Sequence, residues 1–379
     1  SGLLPRLSGN AGTTWTRERS QRTGELATGG DFPERDRSYQ NLTYSLSLTQ
    51  PLFNGGQAWV QMDMAEKARN AARAQVSAEE QDLMVRLGEA YFSILDARAR
   101  VRLLTKEQER LEGHLARARA RFERGAADIV GVREAEARRD RARTDLIDAR
   151  NELEVAKEQL YRLIRRPTPT LGEVEKVPLD AFQLGSSSEW IERARGHHPK
   201  LEQLRSSAAE ARRNVDRISR RRWPSLQAQA TYARTEESEF YKYQYQRSVG
   251  LQLSWNFWEG GGISADKEMA QSEAAQEQFR LDEQAQEVRF RTVQRYKDLE
   301  TAMQRVRSLR TLVSSTQTRL EAVQKAFDLG RRTSVDVLDA QKEFFDAKRR
   351  LAQARYEYLL NWLRLRGAAG VLNKDDLRR

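Results

Sequence analysis

One pattern occurs twice in this sequence, and the two copies are 205 residues apart. The segment PLFNGGQ at residues 51–57 aligns with NFWEGGG at residues 256–262. The same offset continues without a gap over about 110 residues in each copy, which is the signature of a repeated architecture. The duplication predicts that an element found in one copy has a counterpart in the other.

Two strands are predicted in each copy, before a Gly-Gly pair. Apolar and polar residues alternate at residues 42–48 and 249–257, and shorter alternations follow Pro5 and Pro224. A period of two residues indicates a strand with one apolar face and one polar face. We therefore expect four strands of about ten residues, joined in pairs by exposed polar loops at residues 17–37 and 235–246.

Two long helices are predicted after each Gly-Gly pair, because the apolar spacing there changes to alternating steps of four and three residues. In the first copy this spacing extends from Leu83 to Phe122 and is interrupted only at Gln108. In the second copy it has polar breaks at Thr292, Arg295 and Thr316. Such heptads are typical of coiled coils. The outgoing helix of about 65 residues would be about 100 Å long. It would reverse near Gly125 in one copy and near Gly330 in the other.

Composition excludes several classes of protein. The 379 residues include no cysteine, three histidines and 32% charged residues, with a net charge of +11. Without cysteine there is neither a disulfide scaffold nor a cysteine-ligated metal site. No nucleophile motif or metal-ligand spacing surrounds His114, His197 or His198, so exposed or helix-capping positions are expected for them. The sequence therefore predicts no enzyme, no cofactor and no metal site.

Two kinds of protein fit the strands and helices together. The strands suit either a soluble sandwich or the wall of a membrane barrel. Four strands are too few to close a barrel, but two protomers would supply eight strands and three would supply twelve. No run of about 18 apolar residues is present, so no transmembrane helix is expected. The alternative, suggested by the basic charge, is a soluble coiled-coil scaffold that binds a membrane surface or nucleic acid.

Four segments carry a combination of motifs: SLTQPLFNGG at 47–56, HPKL at 198–201, FDLGRRTSVDVLDAQ at 327–341 and ARYEYL at 354–359. Together they resemble the TolC family of bacterial outer-membrane channels, and the resemblance covers nearly all of residues 4–372. It implies an α+β membrane protein, a trimer with a twelve-stranded transmembrane β-barrel to which each protomer gives four strands. The barrel would continue into a long α-helical coiled-coil barrel. The counterpart of the helix at 200–222, which would precede the first strands, is expected to be missing from this chain.

The resemblance also implies a function and partners. The protein would be the passive exit duct of a tripartite export machine for drug efflux or type I protein secretion, and the DVLDAQ form at 336–341 looks closer to the secretion branch. The implied partners are two further copies of the chain, a periplasmic adaptor protein and an inner-membrane ABC or other export transporter. The barrel would lie in outer-membrane lipid and the helical part in the periplasm, and no nucleic acid would bind.

The same resemblance assigns residues to the periplasmic tip. Asp336 and Asp339 would line the channel constriction as rings of carboxylates, and Arg332 would help to latch it. An alternative for Asp336 is a role in capping the helix that starts there. Because Gly131 stands opposite Asp336 in the repeat, Arg332 is expected to act through Asp128 or a main-chain carbonyl.

The remaining predicted positions are turns and segment boundaries. The tip and adaptor-docking residues are Gly125, Asp128, Gly330, Arg331 and Thr333, and the strand-to-helix turns are Gly55, Gly56, Gly260 and Gly261. The predicted segments are barrel strands in 4–56 and 223–259, helical hairpins in 57–166 and 260–370, an equatorial segment in 167–199, a helix in 200–222 and a C-terminal tail in 371–379.

Overall fold

The computed structural model describes residues 4–20, 35–125, 128–166, 184–237 and 242–377. Residues 167–183 of the predicted equatorial segment and the last two residues of the predicted tail lie outside these ranges. The elements are β1 (Arg6–Ser20), β2 (Arg35–Asn54), α1 (Gln57–Glu123), α2 (Ile129–Ile164), α3 (Ser187–His197), α4 (Pro199–Ser219), β3 (Ser225–Glu237), β4 (Lys242–Ser254), α5 (Gly262–Asp328) and α6 (Ser334–Ala368). Short 3₁₀ helices lie at Arg220–Arg222 and Lys374–Leu377.

The chain divides into two compact units. One contains the four strands together with parts of α1, α4 and α5. The other contains α2, α3, α6 and the remaining residues of α1, α4 and α5. None of the described helices is both long and apolar enough to cross a membrane.

The strands form one antiparallel sheet in the order β1-β2-β3-β4. Their register aligns side chains of like character in rows across the sheet, for example Leu7, Leu48, Ala230 and Val249. One face is therefore mainly apolar, and the other carries mainly serine, threonine and glutamine. This confirms the alternation predicted from the sequence. Among the described residues, β1 and β4 each pair on one side only, so both are open edges.

The strands differ from the prediction in length. They contain 15, 20, 13 and 13 residues instead of about ten, so the predicted loops at 17–37 and 235–246 are too wide. Residues 21–34 and 238–241 of those loops lie outside the described ranges. The strands extend beyond the residues that alternate between apolar and polar, because backbone hydrogen bonds between neighbouring strands maintain the pairing even where there is no apolar face. β4 also stops at Ser254, before the predicted end at 257, and the Trp255 indole N–H donates to the Arg222 carbonyl oxygen at 3.1 Å.

The helices of the two copies correspond closely. α1 and α5 both contain 67 residues, and α5 and α6 start 205 residues after α1 and α2. Most positions of the predicted seams are buried; in α1 and α2 these are Ala90, Ile94, Ala97, Leu104, Leu111, Leu115, Ala118, Val132, Ala135, Ala142, Leu146, Ala149, Ala156 and Leu160. Leu83 and Phe122 are exposed instead. Phe122 lies at the end of α1, and Leu83 lies in the part of α1 that the shorter helix α2 does not reach.

Thr292 does not interrupt the packing of α5, although its polar side chain predicted a break. It is fully buried, and its hydroxyl lies 2.7 Å from the Val288 carbonyl oxygen and 3.2 Å from that of Ala368. A buried hydroxyl with hydrogen-bond partners costs little free energy.

The end of α6 is fixed by two close contacts. Trp190 of α3 is buried against Trp362, with the ring centroids 5.7 Å apart, and its indole N–H donates to the Leu184 carbonyl oxygen at 2.6 Å. Just after α6, Gly370 has φ of 69°, and a Cβ there would lie 2.5 Å from the Cα of His198. Only glycine permits this conformation together with so close an approach.

Candidate functional site

The turn between α5 and α6 is closed by backbone hydrogen bonds. The Gly330 N–H donates to the Phe327 carbonyl oxygen at 2.9 Å, and the Arg331 N–H donates to that of Ala326 at 2.8 Å. This is the Schellman arrangement, which needs a residue in the left-handed region, and Gly330 has φ of 74°. The reversal therefore lies where the sequence predicts it.

Thr333 and Asp336 cap the start of α6. The Thr333 hydroxyl accepts a hydrogen bond from the Asp336 N–H at 3.3 Å, and the Asp336 carboxylate accepts one from the Thr333 N–H at 2.9 Å. This reciprocal pair is a capping box, so the capping alternative for Asp336 is confirmed. The bonds from Thr333, and then the charge of Arg332, hold the pKa of Asp336 below its usual value. The carboxylate is thus ionised at neutral pH, and its side chain is 37% exposed.

Asp339 is held by an arginine of the first hairpin. The Arg138 Nη2 atom lies 2.9 Å from an Asp339 carboxylate oxygen, and Arg138 Nε donates to Glu134 at 2.7 Å. The contact joins α2 to α6 across 201 residues of sequence. The sequence prediction missed Arg138, although its spacing of four residues from Glu134 is typical of an ion pair on a helix surface.

Asp128 caps α2 and is not the partner of Arg332. Its carboxylate accepts a hydrogen bond from the Val130 N–H at 3.2 Å. Arg332 lies 3.8 Å from Asp336 instead, so its expected contact with Asp128 is not formed within the protomer. A partner four residues away is easier to reach than one on the other hairpin. The turn before Asp128 contains Gly125 with φ of 68°, as the sequence predicts.

The two hairpins meet where α2 and α6 begin. A Cβ added to Gly131 would lie 3.4 Å from the Cβ of Ser334. The absence of a side chain at position 131 therefore allows α2 to pack tightly against the first residue of α6.

His114 is buried beside this contact, contrary to the expectation that it is exposed or capping. Only 1% of it is exposed, and its Nε2 atom lies 2.7 Å from the Ser334 hydroxyl oxygen. The Phe327 ring packs beside it at a centroid distance of 5.9 Å, and the Arg121 guanidinium lies 4.6 Å from the same ring. Position 114 adjoins the α1 seam, so a third helix covers it. His198, in contrast, does have a capping role, because its Nδ1 accepts a hydrogen bond from the Lys200 N–H.

Acidification should loosen the start of α6 through His114. Burial, and then the charge of Arg117, lowers the pKa of His114 from 6.5 to about 4, so an opened form with an exposed imidazole binds the proton first. The stabilisation is complete above pH 6.5 and is lost as the pH falls towards 4, by up to about tenfold in the opening equilibrium per pH unit. Hydrogen exchange of the amides at residues 334–338, corrected for the intrinsic rate, measures this change.

The matched variants for this prediction are His114→Gln and His198→Gln. The first should abolish the acid response at the start of α6. The second removes the other imidazole whose pKa is lowered to about 4, and it should leave the response unchanged. A full acid response in His114→Gln would contradict the prediction.

Both strand-to-helix turns use glycines with positive φ. The angles are 64° at Gly55, 75° at Gly56, 57° at Gly260 and 85° at Gly261. At Gly55 an added Cβ would lie 2.7 Å from the Trp223 Cβ, whereas at Gly260 and Gly261 no described atom lies within 4 Å. The two copies therefore share the turn conformation and differ in what surrounds it.

The tip contains charges and helix caps. Within the described ranges, no group of three or more histidine, aspartate or glutamate side chains is placed to hold a metal ion. Two contacts join the first hairpin to the second, Arg138 with Asp339 and His114 with Ser334, whereas the contact of Arg332 with Asp336 lies within the second hairpin.

Comparison with known proteins assigns the chain to a family. A family model described as outer membrane efflux protein matches residues 1–164 and 190–371. The chain belongs to the outer membrane efflux protein family. Alkaline protease secretion protein AprF of Pseudomonas aeruginosa is 30% identical over 396 residues, which span all of this chain and 79% of that relative. Outer membrane protein TolC of Vibrio cholerae is 29% identical over 392 residues, which span all of this chain and 84% of that relative.

The fold of this efflux family is also present in solved structures. A crystal structure of CusC matches with a TM-score of 0.78 at 14% identity, covering 97% of this chain and 84% of that one. The resemblance predicted from the sequence motifs is therefore confirmed. The protein is an outer-membrane channel of the kind used in type I secretion and drug efflux, with its helical barrel in the periplasm. The family is one of channels and not of enzymes, and the soluble scaffold hypothesis is not supported.

Proposed function

We propose that three copies of this chain close a twelve-stranded barrel and a twelve-helix tunnel. The observation that carries the proposal is the sheet, whose edge strands β1 and β4 are both open and whose four strands are too few for a barrel. Cyclic pairing of β4 with β1 of the next copy removes every edge. α1, α2, α5 and α6 of each copy supply the tunnel, consistent with a tandem duplication.

The two faces of the sheet suit a water-filled channel in lipid. The apolar rows face lipid, and the opposite face lines the lumen. Its side chains at positions 225–235 of β3 and 244–254 of β4 are uncharged; they are Ser225, Gln227, Gln229, Thr231, Ala233, Thr235, Gln244, Gln246, Ser248, Gly250, Gln252 and Ser254. Such a lining binds no ion or peptide tightly, so the channel acts as a passive conduit.

The exported substrate in this proposal is a polypeptide. The relative named for alkaline protease secretion spans the whole chain, which supports secreted proteases as the substrate class. An inner-membrane ABC transporter and a periplasmic adaptor would supply the polypeptide and engage the tip. The docking positions are the turn residues Gly125, Asp128, Gly330, Arg331 and Thr333, all of which are exposed.

The tip would close the tunnel. Asp336 and Asp339 of three protomers would form two rings of carboxylates, with about 2 kcal/mol of repulsion per pair at roughly 8–10 Å and an effective dielectric constant near 20. Opening would separate the hairpins and break the contacts of Arg138 with Asp339 and of His114 with Ser334. The rings would favour cations over anions in the narrow state.

The mass and conductance of the detergent-purified protein test this proposal. Sedimentation should give a trimer, and planar bilayers should show small, cation-selective steps. A stable dimer, or a monodisperse species that stays soluble without detergent, would overturn the channel assembly.

Arg332→Ala should raise the single-channel conductance. The guanidinium partly neutralises Asp336 at 3.8 Å, so its loss leaves more negative charge at the constriction. A gain of about 1 kcal/mol in cation binding at the constriction corresponds to an increase of about fivefold in local cation concentration. Arg331→Ala is the matched control, because Arg331 contributes its main-chain N–H to the turn. No increase in Arg332→Ala, or an equal increase in the control, would count against the proposed charge effect of Arg332 at the constriction.

A further inference from the structure

Two arginines lie on the apolar face of the sheet, in a frame of tyrosines. We call this the arginine–tyrosine surface; its members are Arg234, Arg247, Tyr44, Tyr232, Tyr243 and Tyr245. The register pairs Tyr232 with Arg247 and Arg234 with Tyr245, in adjacent rows of the same face. The two arginines are therefore diagonal neighbours, with Cα atoms about 7–8 Å apart.

The guanidinium groups are held by ring contacts more than by counter-charges. Arg234 lies 4.8 Å from the Tyr243 ring centroid and 5.6 Å from that of Tyr245, and Arg247 lies 5.7 Å from that of Tyr232. Arg234 also pairs with Glu236. Among the described residues no carboxylate lies within ion-pairing distance of Arg247, and the Nε of Arg234 has no hydrogen-bond partner. The surface therefore carries a net positive charge.

The rows next to this surface are strongly apolar. They contain Leu7, Leu48, Val249, Leu251 and Leu253, of which Val249 is 88% exposed. An exposed aromatic group follows the other end of β4, where the ring centroids of Trp255 and Phe257 lie 4.3 Å apart with the ring planes tilted by 41°. The sheet face thus has an apolar band between two aromatic margins.

The height of this band matches a membrane. Ten residues separate Trp255 from Tyr245, about 34 Å along a strand at 3.4 Å per residue. With a strand tilt of about 35–45°, the vertical distance is about 24–28 Å, which agrees with an apolar band about 25 Å tall between aromatic girdles. Tyr243 and Tyr245 would then lie at one headgroup level. Because α5 begins soon after Trp255, on the side that leads to the periplasm, that level is the outer leaflet.

Arginine at this level needs an anionic partner. A guanidinium in the hydrocarbon region is costly, so it reaches towards the headgroups. Its planar fork fits phosphate oxygens in bidentate fashion, and aromatic rings on its faces hold it in place. Glu236 partly neutralises Arg234, whereas no described carboxylate pairs with Arg247. About one positive charge is therefore available to a phosphate group at the membrane surface.

We propose that the arginine–tyrosine surface binds a phosphate group on the headgroup of an outer-leaflet lipid. This inference rests on the proposed function, because the apolar face must meet lipid. Arg247 and Arg234 donate hydrogen bonds to the phosphate oxygens, the tyrosine rings orient the two guanidinium groups, and the acyl chains lie along the leucine and valine rows.

Lipid binding to the purified protein in a neutral detergent tests the proposal. The probes are diphosphorylated lipid A, the same lipid after removal of both phosphates, and inorganic phosphate, with native mass spectrometry as the readout. The variants are Arg247→Gln, Arg234→Gln and the double variant, with Arg247→Lys to keep the charge without the fork. Arg289→Gln, at an exposed arginine of α5, is the matched control.

The parent should bind the phosphorylated lipid about a hundredfold more tightly than the dephosphorylated one, and each Gln variant should lose about tenfold. Arg247→Lys should lose less than Arg247→Gln, and Arg289→Gln should lose nothing. Equal affinity of parent and double variant, or no preference for the phosphorylated lipid, would overturn the proposal. Equally strong competition by inorganic phosphate would exclude a lipid as the source.

Bilayer conductance, recorded on the same samples, separates this inference from the proposed function. A conducting parent without lipid preference would overturn the lipid site alone, whereas a non-conducting parent would overturn the channel. The double variant should keep parental conductance, since both arginines lie on the face opposite the lumen. If the double variant fails to assemble, Arg247→Lys takes its place. A smaller loss of lipid affinity in Arg247→Lys than in Arg247→Gln then tests the contribution of the charge at position 247.

Discussion

A channel with the paired substitutions Gly131→Cys and Ser334→Cys should be locked shut under oxidising conditions and should reopen on reduction. A Cβ at position 131 would lie 3.4 Å from the Ser334 Cβ, close to the range of about 3.5–4.5 Å found in disulfides. The chain has no cysteine of its own, so the new pair has no competing thiol. Position 131 does not need glycine for its backbone conformation, because its φ is not positive.

The expected effect of this bond is large because it joins the two hairpins at the tip. Export or conductance should fall to the level of a closed channel, since a disulfide does not yield to the free energy of adaptor docking. Closing a loop of about 200 residues should also stabilise the folded protomer by about 5 kcal/mol in the chain-entropy model. Thermal unfolding and bilayer conductance, each with and without reductant, measure both effects.

The single-cysteine variants are the controls for the locked channel. Ser334→Cys alone removes the hydroxyl that meets His114, so any loosening caused by that loss appears in both redox states. Gly131→Cys alone tests whether a larger residue disturbs the packing of α2. If the oxidised double variant conducts as well as the reduced one, opening does not separate residues 131 and 334.

Arg349→Met should destabilise the protein by about 3 kcal/mol or more. Glu107 of α1 is only 9% exposed, and its counter-charge is Arg349 of α6, which also pairs with Asp346. Removing the guanidinium leaves a buried carboxylate without a counter-charge. Removing one partner of a buried ion pair costs far more free energy than replacing both partners by uncharged residues. The midpoint of thermal unfolding in one detergent, compared with the parent, measures the loss.

Two further measurements distinguish an unpaired charge from lost packing. Glu107→Gln combined with Arg349→Met should recover most of the stability, because no charge is then buried. Burial already raises the pKa of Glu107, although Arg349 opposes this, so the carboxyl of the single variant should protonate more readily. The destabilisation should therefore shrink as the pH falls from 7 to 5. A loss that is the same at both pH values would indicate a packing defect instead.

The sequence predicts the helices well because their signals are local. Heptad spacing placed the long helices, and the glycines at 125 and 330 placed both reversals, since only glycine adopts these left-handed conformations at little cost. The capping alternative for Asp336 was also available from the sequence, because a threonine followed three residues later by an acid is a capping pattern.

The lengths of the strands could not be predicted from local sequence patterns. Alternation of polar and apolar residues reports only the part of a strand that has an apolar face, and β2 continues well beyond it to 20 residues. Backbone pairing with β1 and β3 maintains the extension, and no side-chain pattern is needed for that.

By itself, the sequence determined the family, the tandem pattern, the type of every long element and the turns between them. The tertiary structure decided which charged and polar groups meet: Arg138 with Asp339 across 201 residues, and His114 with Ser334 across 220. The physical reason is that periodicity shows which face of a helix is buried but not which side chain of a distant helix covers it. The sequence thus predicts an exposed or helix-capping position for His114, whereas in the structure it lies beneath a third helix.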